Sequence, residues 1–182
     1  MNAPLDSNAQ YALDRAQRQS EVVEALRKVL PAHALLYTPE DTTPYECDGL
    51  TAYRARPMCV ALPETYEHVQ AVLKTCHDLQ VPVVARGAGT GLSGGAMPHR
   101  DGVTLSLAKF NRILKVDPVS RTAVVQSGVR NLAISEAAAP HGLYYAPDPS
   151  SQIACTIGGN VAENSGGVHC LKYGLTLHLS LI

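Results

Sequence analysis

The sequence predicts an α+β fold of two small α/β lobes that follow an N-terminal helical segment. Two short apolar runs flank an amphipathic helical pattern between Met58 and Ala85, which predicts a parallel strand–helix–strand lobe. Farther on, apolar runs on either side of Asp117-Pro118 predict a second lobe with a mixed or antiparallel sheet. We place the helical segment and its connector at 1–50, the first lobe at about 51–107 and the second at about 108–182.

Composition and charge exclude several classes of protein. The 182 residues include 15 basic and 16 acidic side chains. The net charge of -1 therefore lacks the positive excess that nucleic-acid binding requires. No run of about 20 apolar residues predicts a membrane span, and residues 1–19 lack the apolar centre of a signal peptide. The five cysteines form no C-x-x-C pair, and we expect them to be reduced and mostly buried in a cytoplasmic protein.

The N-terminal segment and the first lobe follow from apolar spacing. Helical spacing from Ser20 to Leu30, stopped by Pro31, predicts a short amphipathic helix. The stretch from Tyr37 to Thr51 has little periodicity and is predicted to be a connector. The first lobe then has three predicted elements: strand Met58–Leu62, helix Thr65–Leu79 and strand Val81–Ala85.

The second lobe is predicted in less detail. The runs Val103–Leu107, Ile113–Val116 and Thr122–Gln126 predict three strands, the last two forming an antiparallel hairpin. Asn131 is a candidate N-cap for a helix through Ala139. The remainder, residues 144–174, is dense in Gly, Ser, Asn and Pro and is predicted to be mostly loop.

The segment from Arg86 to Ala96 holds five glycines in nine positions, directly after a predicted strand. Glycine leaves the backbone N–H groups uncovered and permits positive φ, so such a loop can surround an anion. A diphosphate needs few lysines in such a loop, which agrees with the absence of a basic excess. The alternative, that the glycines only serve tight turns, fits one or two glycines better than five.

Two common nucleotide motifs do not fit this loop. Gly89-x-Gly91-x-x-Gly94 satisfies the nicotinamide-dinucleotide spacing, but that motif requires a helix to begin at once, and Met97-Pro98 and Asp101-Gly102 break any helix there. A nucleoside-triphosphate loop requires Gly-Lys-Ser or Gly-Lys-Thr, which is absent after Gly94.

Two glycine motifs in order resemble a known family. The first runs from Val83 to Gly95; the second runs from Thr156 to Gly167, with Asp148–Ser151 before it and Lys172–Gly174 after it. Together they resemble the vanillyl-alcohol-oxidase, or PCMH-type, FAD-binding fold, and in particular the FAD-binding subunits of glycolate oxidases. The resemblance covers about residues 46–176.

The resemblance implies a set of residues that bind FAD. Backbone groups of the first motif and the hydroxyls of Thr90 and Ser93 are implied to hold the phosphates, and two later segments are implied to lie along the flavin and its ribityl chain. For Arg86, phosphate binding and a salt bridge to a nearby carboxylate remain alternatives. The implied cofactor-binding residues are Arg86, Gly87, Ala88, Gly89, Thr90, Gly91, Ser93, Pro147, Asp148, Ser151, Cys155, Thr156, Gly158, Gly159 and Asn160.

The resemblance also bears on how the flavin is held. Some relatives attach it covalently through a histidine in the first loop, and Thr90 occupies that place here. We therefore expect non-covalent FAD. His68, His77, His99, His141 and His178 are scattered without metal-site spacing, so no metal is expected, whereas His169 after the second motif stays open as a functional residue.

The activity implied is that of a flavin-dependent 2-hydroxy-acid dehydrogenase acting on a substrate such as glycolate or D-lactate. The hydride passes from substrate C2 to flavin N5, and the electrons leave to an iron–sulfur subunit or a quinone. Such enzymes are much longer, so we expect a C-terminally incomplete domain, from a cloned fragment or a truncated or frameshifted product, with catalytic residues beyond Ile182. We expect a cytoplasmic location, with partners that can bring it to the inner membrane. The alternatives are a non-catalytic FAD-binding fragment and, less favoured, a nicotinamide-dependent dehydrogenase.

Overall fold

The computed structural model describes residues 7–179, which form two units. Seven α-helices occur in the described residues: α1 Ser7–Leu26, α2 Pro39–Thr42, α3 Tyr66–Asp78, α4 Asn131–Ala138, α5 Ile157–Glu163, α6 Cys170–Tyr173 and α7 Thr176–Leu179. The strands are β1 Leu35–Leu36, β2 Cys59–Ala61, β3 Val83–Arg86, β4 Val103–Ser106, β5 Ile113–Asp117 and β6 Thr122–Val125. Single 3₁₀ turns lie at Ala32–Ala34, Thr43–Tyr45 and Ala139–His141. Within 7–179, no helix has both the length and the apolar character needed to cross a bilayer.

The first unit comprises 7–47, Thr51–Val84 and Met97–Leu105, and the second comprises Asp48–Leu50, Ala85–Ala96 and 106–179. This division differs from the predicted one in two respects. The N-terminal helix joins the first unit because Val22, Val23 and Leu26 are buried in its core. The glycine-rich loop belongs to the second unit, although the prediction placed it in the first lobe.

Four strands form a mixed sheet in the order β1-β2-β4-β3. Strand β2 pairs antiparallel with β1 and parallel with β4, with Cys59 opposite Val103 and Ala61 opposite Leu105. All residues of β2 are buried, which explains its continuous apolar run. The two strands around α3 belong to one sheet but are not neighbours, because β4 lies between them and pairs with β2.

Helix α3 shows how local sequence sets an element's ends. The Thr65 hydroxyl accepts the N–H of His68 at 3.2 Å and caps the first turn. At the other end, Gln80 takes a left-handed φ of 53°, and the N–H of Val81 returns to the Cys76 carbonyl at 2.8 Å. Val72 and Cys76, four residues apart, present the buried face of the helix.

The second unit contains the β5–β6 hairpin, which confirms the predicted antiparallel pair. Asp117 organises its turn: Oδ1 accepts the N–H groups of Val119 and Ser120, each at 3.1 Å. The Ser120 N–H and then the Lys115 ammonium lower the pKa of Asp117 to about 2.

Two predictions for the second unit need correction. Asn131 is the first residue of α4 rather than its N-cap, because its side chain is buried and bonded to other segments. The region predicted as mostly loop, residues 144–174, contains α5 and α6. Helix α5 begins at a poor helix-forming sequence because the N–H groups of Ile157 and Gly158 bond to the carbonyls of Val129 and Ser127, each at 2.8 Å. The predicted α+β class is confirmed.

Candidate functional site

A cavity of about 790 Å³ lies within the second unit, between the glycine-rich loop and α5. Its volume is in the range of ligand-binding clefts. The cavity wall includes most residues implied by the sequence: Arg86, Gly87, Ala88, Gly89, Thr90, Gly91, Ser93, Ser151, Cys155, Thr156, Gly158, Gly159 and Asn160. Two segments more than 50 residues apart in the chain thus meet at one site.

The glycine-rich loop offers a row of unused hydrogen-bond donors. Within the described residues, no N–H group from Gly87 to Gly95 donates a hydrogen bond to another part of the chain. Gly89 and Gly94 have φ of 72° and 79°, in the left-handed region that favours glycine. No helix begins in this loop, as the sequence predicted, so the nicotinamide-dinucleotide arrangement is absent.

Two glycines of the loop lie close to side chains at or next to α5. A Cβ at Gly87 would overlap the hydroxyl oxygen of Thr156, and a Cβ at Gly91 would overlap the carboxylate of Glu163. At Gly87 the loop therefore lies too close to Thr156 for a side chain, whereas at Gly91 the flexible Glu163 side chain can move aside.

Thr156 carries a buried hydroxyl with no partner. The residue is 7% exposed, and Oγ1 makes no hydrogen bond within the described chain. Thr156 immediately precedes α5, but its side chain does not cap that helix. A buried unpaired hydroxyl is costly, so it marks a place where a ligand atom completes the bonding. Thr156 also lines a second cavity of about 540 Å³ with Gly87 and Ala88.

Arg86 supplies positive charge beside the loop. Its guanidinium lies where a Cβ at Gly89 would have to be placed, and Nη1 donates weakly to the Ala96 carbonyl at 3.4 Å. The Arg86 side chain thus folds over its own loop. Free N–H groups, an unpartnered hydroxyl and one guanidinium fit the two negative charges of the FAD diphosphate.

Asn160 has a structural partner that the sequence did not reveal. Its Nδ2 donates to Asn131 Oδ1 at 2.8 Å, and Asn131 Nδ2 donates to the Pro147 carbonyl at 2.9 Å. Asn131 and Asn160 are 0% and 3% exposed. This buried relay ties α5, α4 and the Pro147 loop together, so one N–H of the Asn160 amide is already engaged.

Pro147 and Asp148 do not line the cavity, unlike the other implied residues. Asp148 Oδ2 instead contacts His169 Nδ1 at 2.7 Å. His169 also lies beside Tyr144 and Tyr173, with ring centroids 6.2 and 6.4 Å away. A hydrogen bond from Tyr144, together with Lys172, lowers the pKa of Tyr173. His169 therefore belongs to a partly exposed cluster next to the segment that carries Ser150 and Ser151.

Sequence reasoning missed several cavity residues: Ser127, Ser150, Glu163 and Ser165. Three of them lie inside or beside the two motifs, so proximity to those motifs was an available signal. Ser127 follows β6, and no local pattern distinguishes it. In the part of the chain that the structure describes, no group of three or more His, Cys, Asp or Glu side chains could hold a metal ion.

The sequence matches the family model described as FAD binding domain over residues 57–180. It is 65% identical over 160 residues to the glycolate oxidase subunit GlcD of Escherichia coli K12, covering 88% of this chain and 32% of that protein. It is 38% identical over 157 residues to a D-lactate dehydrogenase of Anaerostipes hadrus, covering 86% of this chain and 33% of that protein. The chain thus spans about a third of the length of these relatives.

A solved structure shares the fold. The p-cresol methylhydroxylase structure with substrate bound matches at a TM-score of 0.73 and 24% identity, covering 82% of this chain and 30% of that one. This match supports the PCMH-type fold that the two glycine motifs predicted. On the family model and the sequence identities, the chain belongs to the FAD binding domain family, whose cofactor is FAD.

Proposed function

We propose that this chain is the FAD-binding part of a flavin-dependent dehydrogenase that oxidises a 2-hydroxy acid such as glycolate or D-lactate. The observation that carries the proposal is the row of undonated N–H groups from Gly87 to Gly95, in a loop that lines the same cavity as the unpartnered Thr156 hydroxyl. The names of two relatives, a glycolate oxidase subunit and a D-lactate dehydrogenase, support this substrate class.

Each part of the site has a proposed role. The N–H groups of Gly87 to Gly91, the Thr90 and Ser93 hydroxyls and Arg86 hold the diphosphate, since these groups carry the donors and positive charge of the cavity. The segments Pro147–Ser151 and Cys155–Asn160 lie along the flavin and its ribityl chain. In this proposal, the Pro147 loop contributes through the Asn131–Asn160 relay, because Pro147 and Asp148 themselves lie outside the cavity wall.

Bound FAD supplies the hydride-accepting N5 atom, which takes the hydride from C2 of the hydroxy acid. The chain's own residues hold the cofactor and surround the diphosphate. Thr90 offers no imidazole for attachment, which supports non-covalent binding. We further propose that electrons leave to an iron–sulfur subunit or a quinone, and that such partners place the cytoplasmic protein at the inner membrane.

The visible spectrum of the purified chain tests the cofactor. Flavin absorbance that persists through gel filtration and is released as free FAD by acid precipitation supports a non-covalent flavoprotein. Gly89→Val is expected to abolish this binding, because the new side chain meets the Arg86 guanidinium at a positive φ. Gly142→Val is the matched control: φ is also positive, at 68°, but nothing lies within 4 Å. A colourless chain that takes up no added FAD contradicts the proposal.

A non-catalytic FAD-binding unit is the second candidate, because the chain spans only about a third of its relatives. Anaerobic addition of glycolate, D-lactate or D-2-hydroxyglutarate distinguishes the two. Bleaching of the oxidised flavin band supports a dehydrogenase active at this length. Bound FAD that no hydroxy acid reduces supports the second candidate.

A further inference from the structure

Glu163, the last residue of α5, places a carboxylate in the wall of the cavity. A Cβ at Gly91 would overlap its Oε1 atom, and a Cβ at Gly95 would lie 3.6 Å from it. The carboxylate therefore lies over the second half of the glycine-rich loop. Within residues 7–179 it has no hydrogen-bond or salt-bridge partner.

A negative charge is unexpected at a site for a diphosphate. Two unit charges 4 Å apart interact by about 4 kcal/mol at the effective dielectric of a protein surface, so a phosphate next to Glu163 is disfavoured. Arg86 lies over Gly89 in the first half of the same loop. The loop thus has a cationic half near Gly89 and an anionic half near Gly91 and Gly95.

This polarity matches a ligand that carries hydroxyl groups beside a diphosphate. An ionised carboxylate is an acceptor only, and its partner must be a donor such as a sugar hydroxyl. Hydrogen bonds to a charged acceptor are about twice as strong as neutral ones. FAD offers such hydroxyls on both sides of its diphosphate, on the ribityl chain and on the ribose.

We propose that Glu163 is a specificity-determining residue that accepts a hydrogen bond from a sugar hydroxyl of FAD and thereby keeps the diphosphate on the Arg86 side of the loop. The proposal rests on the proposed FAD binding. The diphosphate lies nearest to Arg86 and Gly89, and the hydroxyl-bearing sugar lies nearest to the Glu163 carboxylate.

The test measures dissociation constants for FAD by quenching of flavin fluorescence in the wild type, Glu163→Gln and Glu163→Ala. We expect Glu163→Ala to bind FAD about tenfold more weakly, since it loses a charge-assisted hydrogen bond, and Glu163→Gln to lie between the two. Glu136→Gln is the matched control, because Glu136 is an exposed residue of α4 outside the cavity wall. It removes the same charge and is expected to bind FAD like the wild type.

Two ligand pairs identify the sugar. If the ribose is the donor, wild type prefers ADP to 2′-deoxy-ADP and Glu163→Ala does not. If the ribityl chain is the donor, the same loss of preference is seen between FMN and its 2′-deoxyribityl analogue. Loss of preference in either pair supports the proposal.

Tighter FAD binding by Glu163→Gln or Glu163→Ala overturns the proposal about Glu163, because the carboxylate then acts only by repelling the diphosphate. Unchanged binding in both variants also overturns it, while leaving FAD binding itself intact. A wild-type chain that binds no FAD removes the proposed function and this inference together, and that result is distinct from the others.

Discussion

The hydroxyl of Thr156 and the α-carbon of Gly87 approach so closely that a Cβ at Gly87 would overlap Oγ1. Thr156 immediately precedes α5 and Gly87 begins the glycine-rich loop, so this one contact sets the spacing between the two walls of the cavity. The shape of the cavity and the hydrogen-bonding capacity of its wall therefore both depend on Gly87 and Thr156.

Gly87→Ala is expected to lower the free energy of unfolding by about 1–3 kcal/mol, because overpacking forces the walls apart. FAD affinity is expected to fall at least tenfold. Adding Thr156→Ala removes the overlapping oxygen and leaves the Thr156 Cβ position 3.7 Å from the new methyl, so it restores stability. Urea unfolding of both single variants and the double variant measures the coupling. Strictly additive effects on stability would show that the two residues do not interact.

Gly142→Ala provides a control for backbone strain. Its φ of 68° disfavours a side chain, but nothing lies within 4 Å. It is expected to reduce stability without changing the FAD dissociation constant, since it lies outside the cavity wall.

Thr156→Val tests separately how the Thr156 hydroxyl affects stability and how it affects FAD binding. The valine keeps the shape and removes an unpartnered buried hydroxyl, so without FAD the free energy of unfolding is expected to rise by about 1–2 kcal/mol. FAD affinity is expected to fall about tenfold, since a hydrogen bond to the cofactor is lost. Thermal unfolding with and without FAD shows both effects. Lower stability in the ligand-free variant would mean that the hydroxyl has a partner within the protein.

Strands β2 to β6 and helix α3 could be predicted from sequence because their signal is local. Apolar runs placed β2, β4 and the hairpin strands within one or two residues, and Thr65 set the start of α3. The N-terminal helix was predicted too short, since residues 7–20 are mostly exposed and carry little apolar periodicity. Helix α5 was missed because bonds from Ile157 and Gly158 to distant carbonyls, not propensity, fix its first turn.

The residues of the candidate site also fall into two groups, those with a local sequence signal and those that only the tertiary fold brings together. The loop from Gly87 to Gly91 was predicted because glycine density is visible in a short window. The Asn131–Asn160 relay joins residues 29 positions apart, and Ser127 enters the cavity from the end of the hairpin. Such contacts depend on the tertiary fold, and no periodicity or spacing encodes them.

Asn131→Ala is expected to destabilise the chain by about 2–4 kcal/mol, because it leaves Asn160 Nδ2 and the Pro147 carbonyl without partners in a buried region. Asn131→Asp keeps an acceptor for Asn160 but cannot donate to Pro147, so an intermediate loss is expected. Urea unfolding measures both. Asn111→Ala is the matched control, since Asn111 is exposed. Equal stability of Asn131→Ala and Asn111→Ala would contradict the relay's role.

The buried thiols of Cys59 and Cys76 predict a loss of stability at alkaline pH. Burial and then the neighbouring Cys76 raise the pKa of Cys59 from 9.0 to about 12, and burial raises the pKa of Cys76 to about 11. Above about pH 9 the unfolded chain releases these protons while the folded chain keeps them, so unfolding becomes easier as the pH rises. Below that pH both states are protonated and the stabilisation is complete.

The free energy of unfolding is therefore expected to fall by up to about 1.4 kcal/mol per pH unit for each thiol above pH 9. The fall ends near pH 11 for Cys76 and near pH 12 for Cys59. Urea unfolding at a series of pH values measures the slope, and Cys76→Ala isolates the cysteine contribution from other titrating groups. The variant should show a shallower slope than the wild type, since one buried thiol is gone and Cys59 loses its neighbour. Identical slopes would mean that the two thiols titrate alike in the folded and unfolded chains.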